Sequence, residues 1–212
     1  MRLNIISSLE SVNAVISVDL LNQSLLPAIV DLAEDSKWRV RQAIIEHIPM
    51  LAKQLGKDYF GEKLNSLCMS WLDDDVYSVR RAATENLQKL AELFGEDWSV
   101  RIIMPKLETM RTHNNYLHRT TALYAVQVLT NVFSVALIDK AVMPFVAQMS
   151  NDAVPNVRFI AAKTLQLINQ RRTSLSPNIG SEDIVALLSK LSSDPDRDVK
   201  YYATKVRFTV MK

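Results

Sequence analysis

Histidine and cysteine, the residues that most often hold metals or act as nucleophiles, are scarce in this 212-residue chain. The histidines are His47, His113 and His118, and the single cysteine is Cys68. His113 and His118 stand five residues apart, without a cysteine or carboxylate at the spacing of a zinc site. No phosphate-binding loop or nucleophile elbow occurs in the sequence. We therefore predict a protein that is not an enzyme and that uses no metal, cofactor or small-molecule substrate.

Charged residues recur at a nearly constant spacing. Basic residues separated by 39, 39, 39 and 42 positions form one column: Arg41, Arg80, Arg119, Arg158 and Lys200. Aspartates keep a parallel column, with His113 at its third position: Asp35, Asp74, Asp152 and Asp194. Matched opposite charges predict a ladder of ion pairs within and between units, which would fix their register. The alternative is a cationic stripe that binds nucleic-acid phosphates, but the aspartates and a net charge of only +2 disfavour it.

A third column contains aromatic residues. Trp38, Tyr77 and Tyr116 each precede a column arginine by three residues, and Pro155 and Arg197 continue the series. Trp, Tyr and Arg dominate the binding energy of many protein interfaces. The column therefore predicts a ridge that binds a folded protein partner. The alternative is that the rings only cover the helix pair beneath them.

The elements that carry these columns are predicted to be pairs of helices. Apolar residues follow helical spacing from Leu25 to Leu32 and again from Val40 to Leu51, with a polar turn, Ala33 to Lys37, between them. Asp35 is placed to accept hydrogen bonds from the free amides that begin the second helix. Cys68 falls in a column that is otherwise aliphatic, which predicts a small buried side chain rather than a nucleophile.

The composition agrees with a helical chain. Only four of its 212 residues are glycine, whereas glycine makes up roughly 7% of an average protein. β-Hairpins and phosphate-binding loops depend on glycine. No apolar run approaches the roughly 18 residues of a membrane span, and the first ten residues do not resemble a signal peptide. A single cysteine agrees with a reducing compartment. We expect a soluble protein of the cytoplasm or nucleus that binds neither membranes nor nucleic acid.

A lone helix pair cannot bury both of its faces, so repeated pairs predict a stacked α-solenoid. The period and the two helices per unit indicate HEAT repeats rather than armadillo repeats. We predict an all-α, right-handed superhelix of about five repeats after a leading half repeat. Arg2 aligns with Arg41, which predicts that the chain opens inside a unit of a longer array. The expected boundaries are 1–18 for the half repeat, then 19–57, 58–96, 97–135, 136–180 and 181–212, with a flexible loop at 171–181.

The turn segments carry a more specific resemblance. The stretch LLPAIVDLAEDSKWRVRQAIIEHIPMLAKQLG, together with EKLNSLCMSWL, NYLHR, PNVRF and DVKYY, resembles the C-terminal HEAT repeats of the scaffold (A, 65-kDa regulatory) subunit family of protein phosphatase 2A. In that family fifteen repeats form a hook-shaped solenoid. The turns of the last five repeats hold the catalytic subunit, and earlier repeats bind B-type regulatory subunits.

This resemblance implies a non-catalytic scaffold that docks a serine/threonine phosphatase catalytic subunit, with B-type subunits joining in the full-length protein. Carried over position by position, it implies catalytic-subunit contacts at Trp38, Arg39, Tyr77, Tyr116, His118, Arg119 and Asn156. The chain departs from the family pattern at residues 111–113 and 171–181. The alternative function, from another class, is a HEAT-repeat adaptor that binds transport cargo or nucleic acid on its inner face.

Overall fold

The computed structural model describes residues 26–211, and this part of the chain consists of helices and turns without a strand. The half repeat predicted at 1–18 and the apolar residue Leu25 lie outside the described residues. The chain divides into two compact units, residues 1–103 and 104–212. Within the described residues the predicted all-α class is therefore confirmed.

In the first unit, helices follow one another with short connections. They are α1 (Leu26–Ala33), α2 (Trp38–Leu55), α3 (Lys57–Ser70), a 3-10 turn (Trp71–Asp73), α4 (Tyr77–Phe94), α5 (Glu96–Trp98) and a π-helical turn (Ser99–Ile103). Helix α1 packs on α2, and α2 packs along α4, so that the second helices of successive pairs lie side by side. The predicted turn at Ala33 to Lys37 agrees with the observed break between α1 and α2.

The second unit continues the same alternation. It contains α6 (Met104–Arg111), α7 (Tyr116–Thr130), α8 (Val135–Leu137), a π-helical turn (Ile138–Val142), α9 (Met143–Met149), α10 (Pro155–Leu175), α11 (Glu182–Leu191) and α12 (Arg197–Val210). Helix α10 packs between α7 and α12, while α9 and α11 pack against α10 and α12 respectively. The two π-helical turns begin 39 residues apart, at Ser99 and Ile138, so the repeat extends to this local irregularity.

The aliphatic columns form the core. In the first helices, the column Ile29, Cys68, Leu107, Val146 and Leu188 is buried at every position. In the second helices, Leu51, Leu90, Leu129 and Ile168 are buried, while Val210 at the end of α12 is half-buried. Burial raises the pKa of the Cys68 thiol well above its ordinary value, so the side chain stays protonated. The prediction that Cys68 is a buried apolar residue is confirmed.

Two of the four glycines allow the chain to pass from one helix pair to the next in a single residue. Gly56 joins α2 to α3 and Gly95 joins α4 to α5, with φ angles of 75° and 85°. Only glycine adopts this left-handed region without a steric cost. At the position 39 residues after Gly95, Ser134 has an ordinary φ of −66° and its hydroxyl accepts a hydrogen bond from the Leu137 N–H.

The structure corrects the predicted loop at 171–181. Helix α10 continues to Leu175, so only residues 176–181 form the connection to α11. The extra turn is held by Arg172, which is buried and donates from Nη1 to the Asp183 carboxylate at 2.9 Å. Its Nε also lies 3.3 Å from Asp139 Oδ1. The polar composition of this segment suggested a loop, but these long-range contacts keep its first five residues helical.

The predicted unit boundaries differ slightly from the helix starts. Helices α3, α5 and α8 begin at Lys57, Glu96 and Val135, one residue before the expected starts of three units at 58, 97 and 136.

Candidate protein-binding edge at the helix-pair turns

Each turn between the two helices of a pair is closed by the same kind of hydrogen bond. A side chain of the aspartate column accepts from the backbone N–H two residues later, at 2.8–2.9 Å: Asp35 from Lys37, Asp74 from Val76, Asp152 from Val154 and Asp194 from Asp196. His113 takes the same role, because its Nδ1 accepts from the Asn115 N–H at 3.0 Å. His113, which stands in place of an aspartate in this column, therefore forms the same turn hydrogen bond.

Asp35 binds the amide of Lys37, the residue that immediately precedes α2. No side chain caps the helix from the Lys37 position. The Asp35 carboxylate therefore helps to shape the turn that leads into α2. Asn115 and Asp196, by contrast, do cap α7 and α12 through bonds from the Leu117 and Val199 N–H groups.

The column arginines hold the backbone of their own turns. In each case Nη1 donates to two successive carbonyl oxygens of the preceding turn: Arg41 to Asp35 and Ser36, Arg80 to Asp74 and Asp75, Arg119 to His113 and Asn114, and Arg158 to Asp152 and Ala153. The guanidinium thereby supplies a hydrogen-bond donor to turn carbonyls that would otherwise lack a partner within the protein. The arginine consequently links the turn to the beginning of the helix that follows it.

Three of these arginines also reach the turn of the next helix pair. Nε and Nη2 donate to both carboxylate oxygens of one aspartate at 2.7–2.8 Å: Arg41 to Asp74, Arg119 to Asp152 and Arg158 to Asp194. These pairs are largely buried. Two-point pairs of a guanidinium with a carboxylate combine charge with fixed geometry. The sequence predicted ion pairs both within and between repeats, and each of these three pairs joins two adjacent repeats.

The electrostatics of the pairs follow from these contacts. The hydrogen bond from Arg158 is the main cause that lowers the pKa of Asp194 below its ordinary value. Burial alone would raise the pKa of Asp152, but hydrogen bonds from Arg119 and the Val154 N–H outweigh it and the pKa is lowered. The aspartate partners in turn raise the pKa values of Arg119 and Arg158.

Lys200 occupies the last position of the basic column and differs from the arginines. It is exposed, and among residues 26–211 its ammonium forms no hydrogen bond or ion pair. Its charge nevertheless helps to lower the pKa of Asp194.

Each residue of the aromatic column occupies the same position in its own helix pair. The column members are the first residues of the second helices: Trp38 of α2, Tyr77 of α4, Tyr116 of α7, Pro155 of α10 and Arg197 of α12. The Tyr77 side chain is 58% exposed and that of Tyr116 is 37% exposed, whereas Trp38 is half-buried. The Arg39 guanidinium lies 4.3 Å from the centre of the Trp38 ring, a cation–π contact on an exposed arginine.

Three residues of the implied contact set remain, and Arg119 differs from the other two in its contacts. Asn156 is exposed on the first turn of α10, and the half-buried His118 stacks on His113 with ring centres 4.1 Å apart. Arg119 is different, because all three of its guanidinium nitrogens are already hydrogen-bonded to the turn or to Asp152. The geometry therefore gives Arg119 a positioning role. Sequence reasoning missed Leu117, an apolar residue 41% exposed beside Tyr116.

Neither a metal site nor a membrane-spanning helix occurs in the described part of the chain. Residues 26–211 contain no group of three histidine, cysteine, aspartate or glutamate side chains that could hold a metal ion. No helix within the same residues is long and apolar enough to span a membrane.

Comparison with known proteins identifies the repeats. The HEAT repeat family model matches residues 25–55, 64–94 and 142–170. The A-type regulatory subunit of protein phosphatase PP2A from Schizosaccharomyces pombe is 48% identical over 70 residues, which make up 33% of this chain and 12% of that protein. Its namesake in Saccharomyces cerevisiae is 43% identical over 94 residues, 43% of this chain and 15% of that protein.

Two further similarities are weaker. Serine/threonine-protein phosphatase 4 regulatory subunit 1 of Mus musculus is 38% identical over 64 residues, covering 29% of this chain and 7% of that protein. A designed armadillo repeat protein in complex with the peptide (KR)4 superposes with a TM-score of 0.49 at 17% identity, over 92% of this chain and 84% of that chain. The matched segments thus span only a small part of the natural relatives. The chain contains HEAT repeats, is all-helical over residues 26–211, and over part of its length is related to phosphatase regulatory subunits.

Proposed function

We propose that this chain is a non-catalytic scaffold that docks a serine/threonine phosphatase catalytic subunit on the turns of its helix pairs. The partial relationship to PP2A and phosphatase 4 regulatory subunits supports this class of partner. B-type regulatory subunits would join in an array of greater length, since the relatives extend well beyond the matched segments. The basic column gives little support to nucleic-acid binding, because Arg41, Arg119 and Arg158 are neutralised by aspartates.

The observation that carries the proposal is the combination of exposed rings with ordered turns. Tyr77 and Tyr116 begin their helices directly after turns whose carbonyls are held by Arg80 and Arg119. A partner that binds such a surface orders few additional torsions, so less of the binding free energy is lost to conformational entropy. Preorganised aromatic residues of this kind are typical centres of protein interfaces.

The proposal divides the implied contact set by role. Trp38, Arg39, Tyr77, Tyr116, His118 and Asn156 would contact the catalytic subunit, and Arg119 would keep the Tyr116 turn in the binding conformation. Arg39 adds a cation beside the Trp38 ring, which fits an acidic group or an aromatic face on the partner.

Binding to a purified PP2A-type catalytic subunit, measured by calorimetry, tests the proposal. We expect Tyr116→Ala to weaken binding about tenfold or more, the effect of losing one interface aromatic. Tyr124→Ala is the matched control, because Tyr124 lies on the same helix and is 40% exposed, close to the 37% of Tyr116. Equal affinities for the wild-type chain and the Trp38→Ala, Tyr77→Ala and Tyr116→Ala variants would reject the proposal.

A further inference from the structure

The packing of α12 on α10 shows what kind of helix this fold accepts. Tyr202 of α12 meets Phe159 edge to face with ring centres 5.2 Å apart. Lys163 Nζ lies 4.5 Å from the Phe159 ring centre and 5.6 Å from that of Tyr202. The Tyr202 hydroxyl donates to Gln166 Oε1 at 2.6 Å. Phe159, Lys163 and Gln166 are spaced i, i+4, i+7, so they form one stripe on α10 that receives a single aromatic side chain.

A second contact fixes the same docking. Asp194, eight residues before Tyr202, binds Arg158, which directly precedes Phe159. The incoming segment therefore presents a carboxylate in the turn before its helix and an aromatic ring eight residues later. The receiving helix presents a cation followed by an aromatic and cationic stripe.

Helix α12 repeats this receiving stripe at its own surface. Shifting each receiving residue by 42 positions gives Lys200, Tyr201, Lys205 and Phe208, which together are termed the α12 face. All four are exposed, Tyr201 at 69% and Phe208 at 57%, whereas Phe159, Lys163 and Gln166 are half-buried. Met211, 64% exposed one turn after Phe208, continues the apolar surface and lines an open depression with Val185 and Ala186 of α11.

We propose that the α12 face docks an acidic amphipathic helix of a partner protein. The occupant carries a carboxylate for Lys200 and, eight residues later, an aromatic ring that packs among Tyr201, Lys205 and Phe208. Continuity with the α10–α12 interface sets this spacing. Charge complementarity sets the acidic character, since α12 has four basic residues, Arg197, Lys200, Lys205 and Arg207, and the single acidic residue Asp198.

The α12 face differs from the α10 stripe at one position, and this difference predicts specificity. Phe208 stands where α10 has Gln166, so the hydroxyl of an incoming tyrosine would lose the acceptor that Tyr202 uses. A buried hydroxyl without a partner lowers affinity. The α12 face should therefore prefer phenylalanine to tyrosine.

Fluorescence anisotropy with the full chain and a helix-stapled peptide tests this proposal. The peptide reproduces residues 194–210 with Y202F, K200E and K205E, which keeps the carboxylate-to-ring spacing and makes the probe acidic. We expect saturable binding that weakens about tenfold or more in the Tyr201→Ala and Phe208→Ala variants. Lys200→Glu should also weaken binding, and a peptide with alanine in place of the ring should not bind. A peptide that carries K200E and K205E but keeps Tyr202 should bind more weakly than the peptide with phenylalanine at this position.

Three controls separate the alternatives. Leu93→Ala, an apolar truncation at an exposed site on α4, should leave peptide binding unchanged. Tyr116→Ala should also leave it unchanged, so the outcome does not depend on phosphatase docking. Peptide affinity that is insensitive to Tyr201, Phe208 and the peptide ring would overturn the proposal. It would also be overturned if Phe208 instead mediated a concentration-dependent dimer seen by ultracentrifugation, or binding to anionic vesicles without peptide binding.

Discussion

Arg158 and Asp194, which are 36 residues apart in the chain, form a two-point ion pair in which Nε and Nη2 donate to the carboxylate at 2.7 and 2.8 Å. The third nitrogen, Nη1, donates to the carbonyls of Asp152 and Ala153 in the preceding turn. One guanidinium therefore joins two successive turns of the second unit. Arg119 does the same with Asp152, so Asp152 belongs to both connections.

Removing one partner of this buried pair should cost substantial stability. We expect Arg158→Ala to lower the free energy of unfolding by about 3 kcal/mol, because Asp194 would keep a buried charge without its partner. Arg158→Lys should recover only part of this loss, since an ammonium cannot bind both carboxylate oxygens and the turn carbonyls in a fixed fork. Urea denaturation followed by circular dichroism measures both values.

Arg81→Ala is the control for that experiment. Arg81 pairs with Glu85 on α4, but both side chains are more than half exposed. Surface pairs of this kind contribute about 0–1 kcal/mol. If Arg81→Ala and Arg158→Ala destabilised the chain equally, burial would not be the cause.

The pKa values of Asp152 and Asp194 predict how stability depends on pH. Both are lower in the folded chain than the ordinary aspartate value. Such a carboxylate stabilises the fold fully above its unfolded-state pKa, and this contribution is lost as the pH falls through the folded-state pKa. The free energy of unfolding should therefore decrease below about pH 4, where unfolded aspartates take up protons. Urea titrations between pH 7 and pH 3 measure the slope.

In Asp194→Asn the same titration should be flatter on the acid side, because the variant has one carboxylate fewer to protonate. The matched control is Asp198→Asn. Asp198 is an exposed residue of the same helix pair, and its carboxylate lies beside the exposed Arg197 instead of linking two turns. An acid slope that is identical in the wild-type chain and in Asp194→Asn would contradict the linkage to this ion pair.

Arg39 and Arg119 should affect phosphatase binding in different ways. Arg39 is exposed over the Trp38 ring, so Arg39→Ala should weaken binding without changing the urea midpoint. Arg119 is used within the fold, so Arg119→Ala should lower both affinity and the free energy of unfolding. Calorimetry and urea denaturation on the same preparations distinguish the two. A loss of affinity in Arg119→Ala at unchanged stability would instead indicate direct contact with the partner.

Glycine substitutions should have opposite effects at two positions. Gly95→Ala places a side chain at φ 85°, and the resulting strain should destabilise the chain by about 1 kcal/mol or more. Gly61 lies within α3, where an added Cβ would contact only the Asn65 side chain at 3.4 Å. Gly61→Ala should therefore stabilise the chain by about 0.5–1 kcal/mol. Thermal denaturation compares the two variants, and a stabilising Gly95→Ala would show that the left-handed conformation is not required.

Much of the fold could be predicted because several residue columns share one period. Each column samples the same environment repeatedly, so the turn at Ala33 to Lys37 and the burial of Cys68 followed from equivalent positions elsewhere. The loop at 171–181 was mispredicted since it has no counterpart in the other units. Its polar residues were judged by local composition, whereas Arg172 is held in α10 by Asp139 and Asp183.

By itself, the sequence determined the helical class, the 39-residue repeat and the residues that share each turn, because these depend on local periodicity. Only the tertiary structure decided that Arg41 binds Asp74 with two hydrogen bonds while reaching Asp35 through its backbone carbonyl. It also decided that the Arg119 guanidinium is already engaged and that the α12 face is exposed. These outcomes depend on how neighbouring helices pack, which brings together side chains more than thirty residues apart and is not encoded in the spacing of any one column.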